Sequence, residues 1–239
     1  METLVLENLT VGYRHGGQVR EVLRGIRHAF APGTLTCLLG PNGVGKSTLL
    51  KTMAGFLPPL AGGVTILGKP VGDYAQRQLA LVVGVVLTGR SDVRNLTVDE
   101  LVALGRSPHT GFWGRLRDAD RHVVAHAMRL VGIDRLAGRM VQTLSDGEMQ
   151  KVMIAKALAQ QTPIILLDEP TAFLDFASKV ETMRLLDSLA HREGKTIILS
   201  THDLQLAARF ADSLLQASDG CLLPVEKAVV EAEIEKLLA

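Results

Sequence analysis

Residues 40–48 read GPNGVGKST and match the pattern G-x-x-x-x-G-K-[ST], which is typical of a loop that binds phosphate groups. The glycines let consecutive backbone N–H groups converge on phosphate oxygens, and the helix predicted next, over 48–54, adds its positive end. Lys46 would reach the β- and γ-phosphates, and the hydroxyl of Ser47 could ligate Mg²⁺. The residues expected to contact the nucleotide here are Gly40, Asn42, Gly43, Gly45, Lys46, Ser47 and Thr48.

A phosphate loop needs an acidic residue that organises magnesium, and an acidic pair follows the apolar run 164–167. Asp168 is placed to contact the metal ion, whereas Glu169 is placed on the side of the attacking water. A carboxylate at this position can orient or polarise that water, while positioning and electrostatics supply most of the catalysis. We therefore predict Asp168 as a metal ligand and Glu169 as a catalytic residue.

The segment 144–148, which reads LSDGE, has two interpretations. Ser145 and Glu148 have the spacing of a capping box, which would only begin the helix that follows. A helix N-terminus that carries a hydroxyl group and Gly147 can equally bind an anion such as a phosphate. The segment by itself does not distinguish the two.

The elements that must hold these residues alternate between apolar, β-branched runs and helical patterns, which predicts an α/β fold with a mainly parallel sheet. The clearest strands are 34–39, 81–87, 164–167 and 196–200. Each is apolar enough to be covered on both faces. The first 30 residues and the segment 62–72 instead show short alternating runs broken by glycine, which predicts an antiparallel β flap at the edge of the fold.

A helical insert is predicted between about residue 96 and residue 160. Its helices are expected over 98–104, begun by a capping box of Thr97 and Glu100, over 118–131, and from Ser145 to Pro163. No repeat or Pro/Ser-rich linker separates the insert, so we predict one domain over 1–239. Its parts would be the flap and phosphate loop (1–72), the helical subdomain (96–160), the rest of the core (161–215) and a C-terminal tail (216–239).

The composition limits the possible functions. Lys plus Arg total 26 and Asp plus Glu total 25, so the net charge of +1 makes nucleic acid an unlikely main partner. A hydrophobic fraction of 47% and a charged fraction of 21% exclude disorder as the main description. The apolar runs fall short of the ~20 residues that a membrane helix needs. Cys37 and Cys221 form no CxxC pair and no leader pattern begins the chain, so we expect a reducing cytoplasm.

Together these motifs resemble those of ABC-type ATPase subunits in their order and spacing, over nearly the whole chain. The set comprises the loop 40–48, the LSDGE segment, the acidic pair, Asp175 in the sequence AFLD, and His202 after the strand 196–200. The resemblance implies a P-loop NTPase core of the RecA-like type. It also implies a head-to-tail homodimer that sandwiches two ATP molecules, with Mg²⁺ as the second cofactor.

The resemblance assigns roles to single residues. Each ATP would lie between one subunit's Lys46, Asp168, Glu169 and His202 and the other subunit's Ser145, Gly147 and Glu148. His202 would contact the γ-phosphate, and Asp175 would cross the dimer interface. Tyr13 matches the aromatic residue that stacks on adenine, although a tyrosine of an ordinary amphipathic strand has the same pattern.

Residues 100–109 (ELVALGRSPH) and 112–116 (FWGRL) resemble the subunits that power importers of iron–siderophore, haem and cobalamin, although loop packing could explain the same residues. That likeness implies an ATP-hydrolysing subunit that works with two transmembrane permease subunits and indirectly with a substrate-binding protein. It would lie at the cytoplasmic face of the cell membrane as a peripheral protein. Two alternatives stay open: a non-transport ABC ATPase, and a nucleotide-sensing subunit with weak hydrolysis.

Two positions depart from the family pattern. Thr88 stands where a glutamine usually approaches Mg²⁺ and the attacking water, and its hydroxyl could still hydrogen-bond a metal-bound water with a shorter reach. Asp146 replaces a glycine and adds a negative charge near the phosphate-binding helix end, where it could instead stabilise the helix dipole. We expect these residues to affect hydrolysis and coupling rather than nucleotide binding.

Two further features have plainer interpretations. His122 and His126 are four residues apart on one predicted helix, but no carboxylate ligand lies nearby, so we interpret them as solvated residues and not as a zinc site. The acidic stretch 224–239 predicts a terminal helix whose apolar positions are Val229, Ile234, Leu237 and Leu238.

Overall fold

A computed structural model describes residues 2–87, 93–111, 114–172 and 174–238, which form two β-sheets and eight α-helices. The strands are β1 (Leu4–His15), β2 (Gln18–Phe30), β3 (Leu35–Leu39), β4 (Ala61–Ile66), β5 (Lys69–Pro70), β6 (Val83–Val86), β7 (Ile164–Leu167), β8 (Thr196–Ser200), β9 (Ser213–Ser218) and β10 (Cys221–Val225). The helices are α1 (Lys46–Met53), α2 (Gln76–Leu79), α3 (Val98–Ala103), α4 (Asp118–Leu130), α5 (Asp146–Ala159), α6 (Phe176–Glu193), α7 (Leu204–Phe210) and α8 (Lys227–Leu238).

The first sheet is antiparallel, as predicted, and its strand order is β2-β1-β4-β5. β1 pairs with β2 from Leu4, opposite Phe30, to His15, opposite Gln18. This sheet is separate from the main one, in agreement with the predicted flap at the edge of the fold. The reason is that its apolar side chains, including Leu4 and Phe30, form one core cluster with α1 and one face of the main sheet.

The main sheet has the order β10-β9-β3-β8-β7-β6, and all of its neighbours run parallel except the edge pair β10 and β9. Every residue of β3, β7 and β8 is buried, which confirms the prediction of strands covered on both faces. Because parallel strands end at the same edge of a sheet, the segments that follow β3, β7 and β8 meet there.

Successive side chains of the central strands enter two different cores. Leu38 belongs to the cluster with α1 and the first sheet, whereas Cys37 belongs to the cluster with helices α3 to α8. Cys37 is a free, buried thiol, and burial raises its pKa above the ordinary value. The predicted strand 81–87 is shorter, as β6, because Leu81 and Val82 belong to the turn that follows α2.

The predicted helices of the insert are present, and only their ends differ. The N–H of Thr97 donates to Glu100 Oε2 at 2.8 Å, as the predicted capping box requires, and α3 passes into a 3₁₀ turn at Leu104–Arg106. α4 ends one residue early, at Leu130. α5 ends at Ala159 rather than at Pro163, because the chain turns at Gln161, which has a φ of 58°.

The terminal helix is confirmed as α8, and of its predicted apolar positions the side chains of Leu237 and Leu238 lie outside the described residues. Val230 is 1% exposed and Ile234 packs against the core, whereas Val229 is 56% exposed. The helical period places neighbouring positions on different faces, so only one of the two valines can face the core. None of the helices in the described residues combines the length and the apolar character that crossing a bilayer requires.

Candidate functional site

The loop between β3 and α1 has a backbone that only glycine adopts readily. Gly40, Gly43 and Gly45 have φ values of 140°, 82° and 118°. A Cβ on Gly45 would lie 2.4 Å from Val22 Cγ1, and a Cβ on Gly40 would lie 2.6 Å from the carbonyl oxygen of Ala217. Both positions therefore exclude a side chain on conformational and on steric grounds.

α1 begins at Lys46, two residues before the predicted start, so the three residues after the last glycine form its first turn. The N–H groups of a first turn have no partner within the helix and can bind an anion. The side chain of Lys46 is buried, and its Nζ donates to the carbonyl oxygens of Gly40 at 2.5 Å and Pro41 at 3.2 Å. The ammonium group is thus held beside the loop, where it can contact a bound phosphate. Asn42 is exposed in the same loop.

Ser47 and Asp168 meet although they are 121 positions apart in the sequence. Ser47 Oγ donates to Asp168 Oδ1 at 2.8 Å. A second hydroxyl, Ser200 Oγ at the end of β8, donates to the same carboxylate oxygen at 2.7 Å. Hydroxyl and carboxylate oxygens are hard ligands of the kind that Mg²⁺ takes, so the arrangement can hold this ion.

Glu169 is held between two cationic or potentially cationic groups. His202 Nδ1 lies 2.9 Å from its Oε2, and Lys46 Nζ lies 3.4 Å from its Oε1. Within the described residues Oε1 is buried without a hydrogen bond, since the contact with the lysine is an ion pair without hydrogen-bond geometry. A buried carboxylate oxygen in this situation can accept a hydrogen bond from a further group, such as a water molecule.

Tyr13 lies beside the phosphate loop. Its hydroxyl is 2.9 Å from Thr48 Oγ1, and 46% of the residue is exposed. An exposed aromatic ring next to the first turn of α1 is placed as a base-stacking ring needs to be. The stacking role itself stays a prediction.

The residues of the LSDGE segment form a second group, at the start of α5. Ser145 Oγ accepts from the N–H of Glu148 at 3.2 Å, and Glu148 Oε2 accepts from the N–H of Ser145 at 2.8 Å. Arg139 Nη1 donates to Glu148 Oε1 at 3.0 Å. The backbone N–H of Ser145 holds the pKa of Glu148 below its ordinary value, and the hydroxyl of Ser145 and Arg139 act in the same direction. The capping-box interpretation is confirmed, and anion binding stays a prediction.

Among the described residues, neither the backbone nor the packing requires a glycine at Gly147. A Cβ there would meet Leu174 Cδ2 at 3.7 Å and Ser178 Oγ at 3.8 Å, which are ordinary van der Waals distances. Its backbone belongs to the first turn of α5 and has no positive φ. The described part of the subunit could therefore accept a small side chain at this position.

Asp175 is the N-cap of α6. The N–H of Ser178 donates to Asp175 Oδ1 at 2.9 Å, and the hydroxyl of Ser178 donates to Oδ2 at 3.0 Å. The backbone hydrogen bond from Ser178 lowers the pKa of Asp175, and the hydroxyl adds to it. The next residue, Phe176, is a large exposed aromatic, so this helix end presents both charge and apolar surface.

The structure thus brings together one set of predicted residues around Lys46, and it places the set around Ser145 in a separate cluster. Thr88, Phe112 and Trp113 lie outside the described residues. Sequence reasoning missed Ser200, whose only signal is a hydroxyl that follows the apolar residues of β8, two positions before His202.

The segment 100–109 is explained largely by packing. Arg106 is buried, and it donates to Asp120 Oδ1 at 2.9 Å, to the carbonyl oxygen of Ala159 at 2.7 Å and to Gln161 Oε1 at 2.8 Å. A Cβ on Gly105 would lie 2.2 Å from the carbonyl oxygen of Lys156. These two residues therefore tie the start of α4 to the end of α5.

The described residues also line cavities outside the phosphate loop. One of about 940 Å³ has an apolar lining that includes Phe56, Leu57, Leu79 and Val83, and Phe56 is 59% exposed. Another, of about 470 Å³, is lined by residues that include His122, His126, Glu193 and Lys195. In the parts of the chain that the structure describes, no three histidine, cysteine or acidic side chains are grouped so that they could hold a metal ion.

Comparison with known proteins gives consistent matches. A profile of the family described as ABC transporter matches residues 23–172. The chain is 43% identical over 211 residues to an uncharacterized ABC transporter ATP-binding protein of Methanocaldococcus jannaschii. This alignment covers 88% of the chain and 71% of the relative. It is 38% identical to the iron(3+)-hydroxamate import ATP-binding protein of Bacillus subtilis, and the alignment covers 93% of this chain and 81% of that protein. It is 39% identical to the hemin import ATP-binding protein of Gloeobacter violaceus, and the alignment covers 92% of this chain and 81% of that protein.

Solved structures agree with these relatives. CbiO1 of Clostridium perfringens, part of the ABC transporter complex CbiONQ, has a TM-score of 0.84 and 30% identity, and the match covers 99% of this chain and 93% of that one. A dimeric ATP-binding cassette in a post-hydrolysis state, bound to ADP and Pi, has a TM-score of 0.80 and 29% identity. The match covers 92% of this chain and 96% of that one.

Proposed function

This chain belongs to the ABC transporter family, and from that premise we propose that it is the ATP-hydrolysing subunit of an importer for a metal chelate of the iron–siderophore, haem or cobalamin class. Residues 1–239 would act as one ABC ATPase domain. The observation that carries the proposal is the convergence of Lys46, Ser47, Asp168 and Glu169 after the parallel strands β3 and β7, which lie on either side of β8.

The residues present fit ATP with Mg²⁺. The positive φ values of Gly40, Gly43 and Gly45 shape the loop that would present its N–H groups to phosphates at the start of α1, and Lys46 adds a buried positive charge beside them. Ser47 and Asp168 would hold the magnesium ion, which when bound neutralises charge on the phosphates. Thr88 would add its hydroxyl to this set.

Glu169 would act on the water that attacks the γ-phosphate. Its Oε2 is held by His202, while its Oε1 is buried without a hydrogen bond in the described residues. The second oxygen is therefore placed to orient a water molecule and accept its proton. His202, which is half exposed, would contact the γ-phosphate from the same side.

We also propose that catalysis needs two copies arranged head to tail. Ser145, Gly147 and Glu148 present the exposed start of α5, a place where a helix favours negative charge, and Gly147 has no packing reason to lack a side chain. A partner's ATP would approach there, while Asp175 would contact the partner across the interface and Tyr13 would stack on adenine. A related cassette is dimeric with ADP and Pi bound.

The membrane partner would be a pair of permease subunits, with a substrate-binding protein reached only through them. The apolar groove of about 940 Å³ around Phe56, Leu79 and Val83 is a suitable docking surface, because a large exposed phenylalanine beside an apolar cavity marks a place for a protein partner. The chain would then lie at the cytoplasmic face of the membrane as a peripheral subunit.

The ATPase assignment is tested on the chain co-purified with its permease, by comparison with Lys46→Ala and Glu169→Gln. We expect both variants to lose hydrolysis by at least about 10²-fold, and only Lys46→Ala to lose ATP binding as well. Equal activity in the parent and in both variants would overturn the catalytic assignment.

The transport assignment is tested by identifying the membrane protein that co-purifies and by adding siderophore, haem or cobalamin to the reconstituted complex. Stimulation of hydrolysis by one of these chelates is the expected result. Active ATPase without any membrane partner would instead favour a non-transport ABC ATPase. Single-turnover assays that leave ATP uncleaved in the closed dimer would favour the nucleotide-sensing alternative suggested by Thr88.

A further inference from the structure

We propose that Ser200 is a positioning residue for ATP hydrolysis, because it fixes the corner of the chain that carries Asp168 and Glu169. Ser200 is the last residue of β8 and is 0% exposed. Its Oγ donates to Asp168 Oδ1 at 2.7 Å and accepts from the backbone N–H of Glu169 at 2.8 Å. One hydroxyl group thus binds both acidic residues at once.

The corner needs such support because its backbone is unusual. Glu169 has a φ of 46°, in the left-handed region where residues other than glycine are strained. Strain of this kind persists only where the surroundings over-determine it. The N–H of Asp168 donates to the carbonyl oxygen of Val86 at 2.8 Å, and the carbonyl of Glu169 accepts from the N–H of Ala172 at 3.0 Å, so Ser200 supplies the hydrogen bond for the N–H between them.

The end of β8 therefore holds Glu169 at two points. Ser200 binds its backbone N–H, and His202, two residues later, binds its carboxylate at 2.9 Å. Removing the hydroxyl of Ser200 leaves a part-buried N–H without this partner and frees the corner to relax toward an ordinary φ. The carboxylate of Glu169, whose Oε1 lies 3.4 Å from Lys46 Nζ, would then move relative to the lysine. The geometry that hydrolysis depends on would suffer more than the binding of phosphate by the loop.

Thr196, at the opposite end of the same strand, offers a matched control. It is also 0% exposed, and its hydroxyl lies 2.7 Å from Thr3 Oγ1 and donates to the carbonyl oxygen of Ala31 at 3.3 Å. Thr196→Val removes a buried hydroxyl from β8 without touching the acidic pair. Any loss of activity that comes only from weakening β8 would therefore appear in both variants.

The experiment measures kcat and KM for ATP, and separately the Kd of a non-hydrolysable ATP analogue with Mg²⁺, for Ser200→Ala, Ser200→Thr and Thr196→Val. We expect Ser200→Ala to lower kcat about tenfold, with KM and Kd changed less than about twofold, because only the corner has moved. Ser200→Thr keeps the hydroxyl and should recover most of kcat. Thr196→Val should match the parent in kcat even where its thermal midpoint falls.

A double-mutant cycle with His202→Ala sharpens the result. Because both residues act through Glu169, Ser200→Ala should lower kcat less in the His202→Ala background than in the parent. The role of Ser200 rests on the proposed ATPase function, and the experiment distinguishes an error in the function from an error in the role. A parent that does not hydrolyse ATP contradicts the function, whereas an active parent whose kcat is unchanged by Ser200→Ala, or lowered equally by Thr196→Val, overturns the role of Ser200.

Discussion

The group around Lys46 is held by contacts between residues far apart in the chain, whereas the group around Ser145 is held by contacts between near neighbours. Ser47 bonds to Asp168 across 121 positions, and Ser200 bonds to the same carboxylate across 32. Ser145 bonds to Glu148 across only three positions, at the surface. The first group therefore depends on the order of strands in the sheet, and the second depends on one helix end.

This difference indicates which part of the reaction each group controls. The centre of the first group, Lys46 and Asp168, is buried and is assembled within one copy, so changes there should alter the nucleotide affinity and the chemistry of a single subunit. The second is exposed and satisfied by its own capping bonds, so changes there should leave a single copy nearly intact and act only when two copies meet. Each prediction below tests that division.

The largest effect is expected from Gly45→Ala in the first group. The added Cβ would lie 2.4 Å from Val22 Cγ1. The alanine would also have to adopt a φ of 118°, which favours glycine. We expect loss of ATP binding by about 10²-fold or more and a destabilisation of about 1–3 kcal/mol, because the loop must move. Titration calorimetry with ATP and thermal unfolding measure both, and ATP binding at the parent's affinity would contradict the steric account.

Gly147→Ala is the matched change in the second group. Its Cβ meets only atoms at 3.7 Å and beyond, so the folded subunit can accept it, and alanine is the better helix former by up to about 1 kcal/mol. We expect the thermal midpoint and the ATP affinity of the isolated subunit to be unchanged or slightly improved. Hydrolysis by the assembled complex should fall about tenfold, because a methyl group obstructs the approach of the partner's nucleotide.

The two glycine variants together decide whether the division holds. If Gly147→Ala lowers the ATP affinity of the isolated subunit, this glycine belongs to the same binding site as the phosphate loop. Hydrolysis unaffected by Gly147→Ala would remove the argument that a partner approaches the start of α5.

Ser145→Ala should have a smaller effect on a single copy. It removes the oxygen that accepts from the N–H of Glu148 at 3.2 Å, and the loss of an N-cap costs about 1 kcal/mol. We expect the thermal midpoint to fall by roughly 2–4 °C. Thr143→Ala removes a nearby exposed hydroxyl whose one hydrogen bond within the described residues is to the carbonyl oxygen of Met140, and it should lower the midpoint less. An equal fall in both variants would mean that the cap adds nothing specific.

Much of this site could be predicted because its motifs depend on local chemistry. β7 and β8 have the predicted bounds, since every residue in them is apolar or small and is buried on both faces. The capping box at Ser145 follows from spacing alone, as does the glycine-rich turn before α1. These features need no knowledge of which strands are neighbours.

Ser200 could not be predicted, because its importance comes from the strand order. β8 lies between β3 and β7, so its last residue is the one that faces the acids after β7 and the loop after β3. Nothing in the order of residues along the chain states that arrangement. The φ of 46° at Glu169 was hidden for a similar reason, since glutamate is not a residue type that indicates a left-handed backbone.

The smallest expected effect is the pH dependence that the capping carboxylates give to stability. The backbone N–H of Ser145 lowers the pKa of Glu148 below its ordinary 4.5, and the N–H of Ser178 lowers the pKa of Asp175 below its ordinary 3.8. A pKa depressed in the folded state stabilises the fold above the ordinary pKa, and this contribution is lost as the pH falls through the folded-state value. Stability should therefore drop on acidification below about pH 4.5.

Glu148→Gln and Asp175→Asn isolate this contribution. Each should lower the thermal midpoint at pH 7 by less than Ser145→Ala does, because Asp175 is exposed and Glu148 is partly exposed, so that solvent screens their interactions. The difference from the parent should shrink as the pH falls through the folded-state pKa values, because the parent carboxylates then become protonated as well. Glu233→Gln, on the exposed surface of α8, controls for the loss of one negative charge. A difference that is independent of pH in the capping variants would show that these helix ends are stabilised without the charge, and the second group would then be held by its neutral hydrogen bonds alone.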